Sequence, residues 1–231
     1  MVDKIYGGNE MKVLGVVGSK RKTGNTSYLV QQALNAIKSE NVETELIFLG
    51  DYNISGCTGC EGCKDTYKCV IKDDMQKIYP LIINSDAIIL GSPTYFYNIT
   101  SDMKAFIERL YCFEVFSKND RSVWLGVNEA LGGKYAAVIA VCEQDNEEDM
   151  GFTAEAMKKP LEALGYRVLS TVKIFNMFKK GEVLEDSDVL EQVKIAAQKL
   201  ERTFRLRKET EEKFKTHIDD SGAESGVFPC L

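Results

Sequence analysis

At 231 residues, 44% hydrophobic and 28% charged, the chain has the make-up of a soluble globular protein, long enough for one α/β domain with an appendage and short for two independent cores. No apolar run approaches the ~20 residues of a membrane span, and a formal net charge of −6 argues against nucleic acid or an anionic membrane as partner. Met1 to Glu10 lack the pattern of a signal peptide and read as a short extension before the apolar stretch that opens at Met11, so a cytoplasmic location is expected.

Strand-like and helix-like patterns alternate from there. Val13 to Val17 is a short apolar run ending in Gly18, as in a strand buried on both faces. From Asn25 to Lys38, Leu29, Val30, Ala33, Leu34 and Ile37 recur at helical spacing. Leu46 to Leu49 reads as a second strand, followed by a cysteine-rich loop and a helix from about Asp74 to Ile83. Ala87 to Leu90 is a third buried strand, and Ser101 to about Phe116 is helical, with Met103, Phe106, Ile107 and Leu110 on one face. The stretch Ser117 to Gly133 shows no regular pattern. Tyr135 to Val141, Gly151 to Leu164 and Tyr166 to Val172 give a fourth strand, a helix and a fifth strand. A charged helix runs from Ser187 to about Lys215, suited to packing on the sheet or on a partner subunit, and a polar tail from His217 to Leu231 is expected to be mobile. The organisation expected is an extension (1–10), one α/β domain with a parallel, doubly wound sheet (11–186), and a C-terminal helix with its tail (187–231).

In an open α/β sheet, ligands bind at the carboxyl ends of strands beside the switch point. The first such loop runs from Gly18 to Ser27. Free N–H groups where the next helix begins favour a phosphate, and Ser19, Thr23, Asn25, Thr26 and Ser27 add donors around Arg21 and Gly24. The loop has neither the nucleotide P-loop spacing nor the dinucleotide glycine fingerprint; the alternative is an ordinary polar turn. After the third strand, Ser92, Pro93, Thr94, Tyr95, Phe96 and Asn98 lie in an aromatic turn that could flank a flat ring. Glu143 and Gln144, after the fourth strand, are placed to complete the site, and Cys142 reads as a packed thiol.

Four of the seven cysteines, Cys57, Cys60, Cys63 and Cys69, fall within thirteen residues, with Gly56, Gly59 and Gly62 between and beside them. Clustered thiols without a secretion signal read as metal ligands or redox groups. A thiol at every third residue has the ligand rhythm of ferredoxins, and four thiolates suffice for a [4Fe–4S] cluster. A zinc site, a redox disulfide and a metal-free loop are the rivals.

The Gly18–Thr26 segment resembles the FMN-phosphate loop of the flavodoxin-like NAD(P)H-dependent FMN reductase superfamily, often Gly-Ser-x-Arg-x-x-Gly-Asn-Thr, and meets every fixed position of that pattern. Ser92 to Tyr95 resembles the superfamily's Ser-Pro-x-Tyr loop, and Met103 to Arg109 its following helix. With the compact cysteine motif and the trailing Val70 to Met75, the chain is similar to archaeal and bacterial iron–sulfur flavoproteins over about Met11 to Arg109. That resemblance implies strand order 2-1-3-4-5, FMN, a [4Fe–4S] cluster on Cys57, Cys60, Cys63 and Cys69, a carrier such as ferredoxin as donor, and a homodimer or homotetramer. Two other readings stay open: a cluster-free NAD(P)H-dependent flavin or quinone reductase, and a flavodoxin-like carrier with no substrate. His217, the sole histidine, has no assigned role.

Overall fold

The computed structural model describes residues 10–222. The expected extension, apart from Glu10, and the expected tail beyond residue 222 therefore lie outside the described residues. In chain order the elements are β1 (Met11–Val17), α1 (Asn25–Ile37), β2 (Val42–Phe48), α2 (Met75–Asn84), β3 (Ala87–Pro93), α3 (Ser101–Arg109), β4 (Glu114–Phe116), β5 (Trp124–Gly126), α4 (Val127–Ala130), β6 (Lys134–Val141), α5 (Glu147–Met150), α6 (Thr153–Ala163), β7 (Tyr166–Ile174) and α7 (Ser187–Gly222).

Five strands form one sheet in the order β2-β1-β3-β6-β7, with every pairing parallel. Numbered among themselves they read 2-1-3-4-5, the expected flavodoxin-like order, whose switch point falls between β1 and β3. The central strands β1, β3 and β6 are buried along nearly their whole length, which is why they read as continuous apolar runs.

Two apolar layers hold the sheet. On one face Leu14, Val16, Ile88 and Leu90 pack against Met75 and Ile78 of α2, Met103 and Phe106 of α3 and Met157 of α6. On the other, Val13, Val17 and Ile89 meet Leu29, Val30 and Leu34 of α1 and Val193, Ala197 and Leu200 of α7. Each such side chain contributes ~1.5–3 kcal/mol by leaving water. The first half of α7 thus seals one face of the sheet. Gly91 sets how closely α1 can lie, since a Cβ there would stand 2.4 Å from Val30 Cγ2.

Three departures from the sequence reading have physical causes. Strand β2 begins at Val42 and not Leu46: it is an edge strand, and its Glu43, Thr44 and Glu45 break the apolar run without breaking the ladder. The helix expected to reach Phe116 stops at Arg109, because Glu114–Phe116 pairs antiparallel with Trp124–Gly126 in a small hairpin. The helix expected from Gly151 to Leu164 forms as one piece, α6, but begins at Thr153, because Gly151 takes φ +57 and instead ends a separate turn, α5, that the sequence reading did not include.

Candidate functional site

The carboxyl edge of β1, β3 and β6 carries a cavity of about 300 Å³, within the lower range of small-molecule sites. The β1 loop lines it with Ser19, Arg21, Gly24, Asn25 and Thr26, the β3 turn with Pro93, Thr94, Tyr95 and Phe96, and the segment after β6 with Glu143. The structure thus brings ten of the expected cofactor residues to one place. The other five, Thr23, Ser27, Ser92, Asn98 and Gln144, lie outside the lining.

Those others shape the site. Ser27 Oγ donates to the Arg21 carbonyl at 2.8 Å and Ser19 Oγ accepts from Arg21 N at 3.2 Å, folding the first loop on itself. Buried Ser92 accepts from Thr100 N and donates to the Pro93 carbonyl. Asn98 closes the aromatic turn by reciprocal backbone bonds with Tyr95, and its Oδ1 takes the Ile99 N–H. Gln144 acts through its carbonyl, which accepts from Asn176 N. Thr23 is exposed.

Helix α1 starts without a cap. Its N-cap residue is Gly24, no side chain caps it among the described residues, and its first turn holds no acidic residue. The N–H groups of that first turn have no helical acceptor, and with the helix dipole they form an anion seat. Lys20 and Lys22 are turned away from it, to Asp102 (3.6 Å) and Asp51 (2.7 Å). In the β3 turn, the Thr94 hydroxyl is buried with no hydrogen-bond partner among the described residues, a cost unless something in the cavity meets it.

The aromatic turn is strained. Phe96 and Tyr97 both take positive φ (51° and 66°), as the two central residues of a tight primed turn must, and neither is glycine. Two contacts hold it. Thr100 Oγ1 donates to the Gly18 carbonyl at 2.7 Å while capping α3, so the β1 and β3 loops are bolted together across the switch point. Phe152 N donates to the Tyr97 carbonyl at 2.8 Å, and a Cβ on Gly151 would stand 2.4 Å from that oxygen. The turn leaves Phe96 96% exposed at the cavity mouth.

Sequence reasoning missed the fourth wall, Met177, Phe178 and Lys180, which follow β7. This strap is held by Asn25, whose Nδ2 donates to the Lys179 carbonyl at 3.0 Å and whose Oδ1 accepts from Val183 N at 3.4 Å. The side chain expected to face a phosphate is therefore engaged with the strap. The only signal available was positional: this segment, too, leaves a strand at its carboxyl end.

The cysteine loop is a second region. Residues 53–73 contain no helix or strand; Cys57 and Cys60 are exposed, Cys63 and Cys69 half-buried. Its base is clamped by Arg109, whose buried guanidinium pairs with Asp73 and donates to the Ser55 carbonyl at 3.1 Å. Asp73 also accepts from Ser55 N, Ser55 Oγ and Met75 N. Gln76 holds the Cys69 and Ile71 carbonyls, and Glu108 takes the Cys57 N–H. Backbone N–H and hydroxyl groups near Gly62 and Thr58 hold the Cys60 thiol below its usual range, whereas burial pushes Cys63 up. The donor chemistry suits four thiolate ligands on one loop. Among the described residues no three Cys, His, Asp or Glu side chains converge as on one metal ion. Cys142 is buried in the core, as is Cys112.

A doubly wound sheet with a mononucleotide-sized cavity at its switch point, an uncapped helix start and an aromatic turn defines the flavodoxin-like class of protein. A family model described as NADPH-dependent FMN reductase matches residues 11–173, and the chain belongs to that family. It is similar to an iron–sulfur flavoprotein of Methanocaldococcus jannaschii, 46% identical over 99 residues (43% of this chain, 51% of the relative), and to one of Archaeoglobus fulgidus, 37% identical over 131 residues (57% and 54%). The chain spans about half the length of these curated relatives. Among solved structures, RosB with bound 8-demethyl-8-formylriboflavin-5'-phosphate superposes with a TM-score of 0.64 at 16% identity, covering 96% of this chain and 90% of that one. A flavone reductase superposes at 0.62 and 18% identity, covering 85% and 64%. At those identities the likeness is one of fold.

Proposed function

We propose that the protein is an FMN-dependent oxidoreductase that exchanges electrons between a carrier such as a ferredoxin and an acceptor. The observation that carries this reading is the cavity at the switch point. An anion seat and a strained aromatic turn line it, and a buried hydroxyl in its wall lacks a partner among the described residues. A phosphate at the start of α1 and a flat, polar-edged ring beside Thr94 and Tyr95 would satisfy all three. FMN has both parts, and it supplies one- or two-electron transfer when bound. The chain's own residues would bind it by backbone N–H groups, orient the ring by the β3 turn, and shield one side of it with the strap after β7.

In the same reading, Cys57, Cys60, Cys63 and Cys69 hold a [4Fe–4S] cluster, which would supply one-electron transfer. Its support is the four thiols on one loop, two of them exposed, together with the names of the relatives. A homodimer or homotetramer is part of the proposal, carried by the resemblance alone.

A cluster-free reductase fed directly by NAD(P)H is the second reading, favoured by the lack of any three converging thiols among the described residues. Anaerobic purification followed by iron, sulfide and flavin assay separates the two. The first predicts about four iron, about four sulfide and about one FMN per chain. FMN without iron after anaerobic reconstitution would leave the second, and neither cofactor would sink both.

A further inference from the structure

We infer that Lys180, on the strap after β7, reads the phosphate of the flavin and makes the cavity select FMN over riboflavin. This rests on the flavin-site reading above and extends it to an element outside the β1 loop.

Charge is unevenly distributed around the anion seat. Of the three consecutive cations in the β1 loop, Lys20 and Lys22 are neutralised by Asp102 and Asp51. Arg21 remains at the cavity, and the second cation in its lining is Lys180, which forms no ion pair within 4.0 Å among the described residues. Glu143, the one carboxylate in the lining, follows β6, where its neighbours Cys142 and Gln144 accept from Met177 N and Asn176 N at the start of the strap.

The strap fixes which part of the cavity Lys180 serves. Its neighbour Lys179 has its carbonyl tied to Asn25, the first residue of α1, so the backbone at position 180 stands one residue from the uncapped helix start. Glu182 draws the turn tight by accepting from the Phe178 and Lys179 N–H groups at 3.2 and 2.9 Å, and Gly181 takes φ +81 to let the chain double back to Val183, whose N–H donates to Asn25. A cation held there adds to the helix dipole and the orphan N–H groups, while the Glu182 carboxylate of the same turn is engaged with the Phe178 and Lys179 N–H groups. A flavin phosphate carries up to two negative charges and riboflavin none. The ammonium therefore contributes to binding the first ligand and little to the second.

Lys180 is exposed, so replacing it does not disturb the core. The test titrates wild type, Lys180→Met and Lys180→Arg with FMN and with riboflavin, following quenching of flavin fluorescence at low and moderate salt. The expected result is FMN affinity about five- to tenfold weaker in Lys180→Met, riboflavin affinity within about twofold of wild type, a weaker salt dependence for FMN, and recovery in Lys180→Arg. Equal loss for both flavins would mean that Lys180 shapes the ring end, and unchanged FMN affinity that it touches neither; both overturn the inference while leaving the flavin site intact. A wild type that binds no flavin would overturn the site reading, and this inference with it.

Discussion

The switch-point cavity and the cysteine loop leave the same edge of the sheet from neighbouring strands, yet they are fastened differently. Around the cavity each loop is tied to another loop. Thr100 joins the β3 turn to Gly18, Phe152 joins it to the start of α6, and Asn25 joins α1 to the strap. The cysteine loop is tied mainly at its ends, by Arg109, Asp73, Gln76 and Glu108, with one exposed ion pair from its middle, Glu61 to Arg121, while Cys57 and Cys60 stand in water. One region is a preformed cavity made by tertiary contacts; the other is a fixed frame around a segment with few contacts of its own. Such a segment gains its order from whatever its side chains bind.

The strongest way to break that comparison is to cut the frame. Arg109 has a fully buried side chain and its partner Asp73 is only 11% exposed. Removing the guanidinium leaves the largely buried Asp73 carboxylate without its counter-charge and takes a donor from the Ser55 carbonyl, so Arg109→Ala should cost about 3–5 kcal/mol in urea unfolding. Lysine cannot replace its fork, so Arg109→Lys should recover only part. A cost under about 1 kcal/mol would mean that the loop needs no frame.

On the cavity side the matching lesion is Gly151→Ala. The site has φ +57, and a Cβ would lie 2.4 Å from the Tyr97 carbonyl. It should cost about 2–3 kcal/mol, and the aromatic turn should loosen with it, so flavin affinity should fall more than in an equally destabilised Arg109 variant. Equal flavin affinity at equal stability would show that the two regions are not separately built.

A finer distinction comes from Thr94→Val. The hydroxyl is buried and has no partner among the described residues, so its removal should leave the flavin-free protein unchanged or stabilise it by up to about 1 kcal/mol. The same change should weaken flavin binding by about 1 kcal/mol. Calorimetric melting with and without FMN reads both signs; a loss in the free protein would mean that the hydroxyl already has a partner.

How far the sequence could be read follows the same division. The buried strands were legible because β1, β3 and β6 must be apolar on both faces. The edge strand β2 was half-hidden by its own exposed glutamates, and the β4–β5 hairpin by its brevity. The two loops that carry motifs, Gly18–Ser27 and Ser92–Asn98, led to one cavity because their donors are local in sequence. The strap at Met177–Lys180, the bolt at Thr100 and the close approach at Gly151 were not legible. Each depends on a partner about 55 to 160 residues away in sequence or across the switch point, and no local pattern encodes that.

The smallest expected effect is a pH dependence that should appear in one region and not in the other. Burial raises the Asp73 carboxyl, but Arg109 and the N–H groups of Ser55 and Met75 outweigh it and hold the group below the usual carboxylate range. A carboxyl whose folded value lies below its unfolded value of about 3.9 contributes stability that is present above that pH. The contribution is lost as pH falls through the folded value, because protonation then favours the unfolded chain. The ties of the β3 turn are the Thr100 hydroxyl and the backbone groups of Tyr95, Asn98 and Phe152, which do not titrate in that range. Acid should therefore release the frame of the cysteine loop first. Limited proteolysis from pH 6 to pH 3 should show cleavage within residues 53–73 before the β3 turn is cut, and Asp73→Asn should abolish the pH dependence of that first cut. Simultaneous cleavage of both, or a first cut that keeps its pH dependence in Asp73→Asn, would mean that the acid-sensitive tie lies elsewhere.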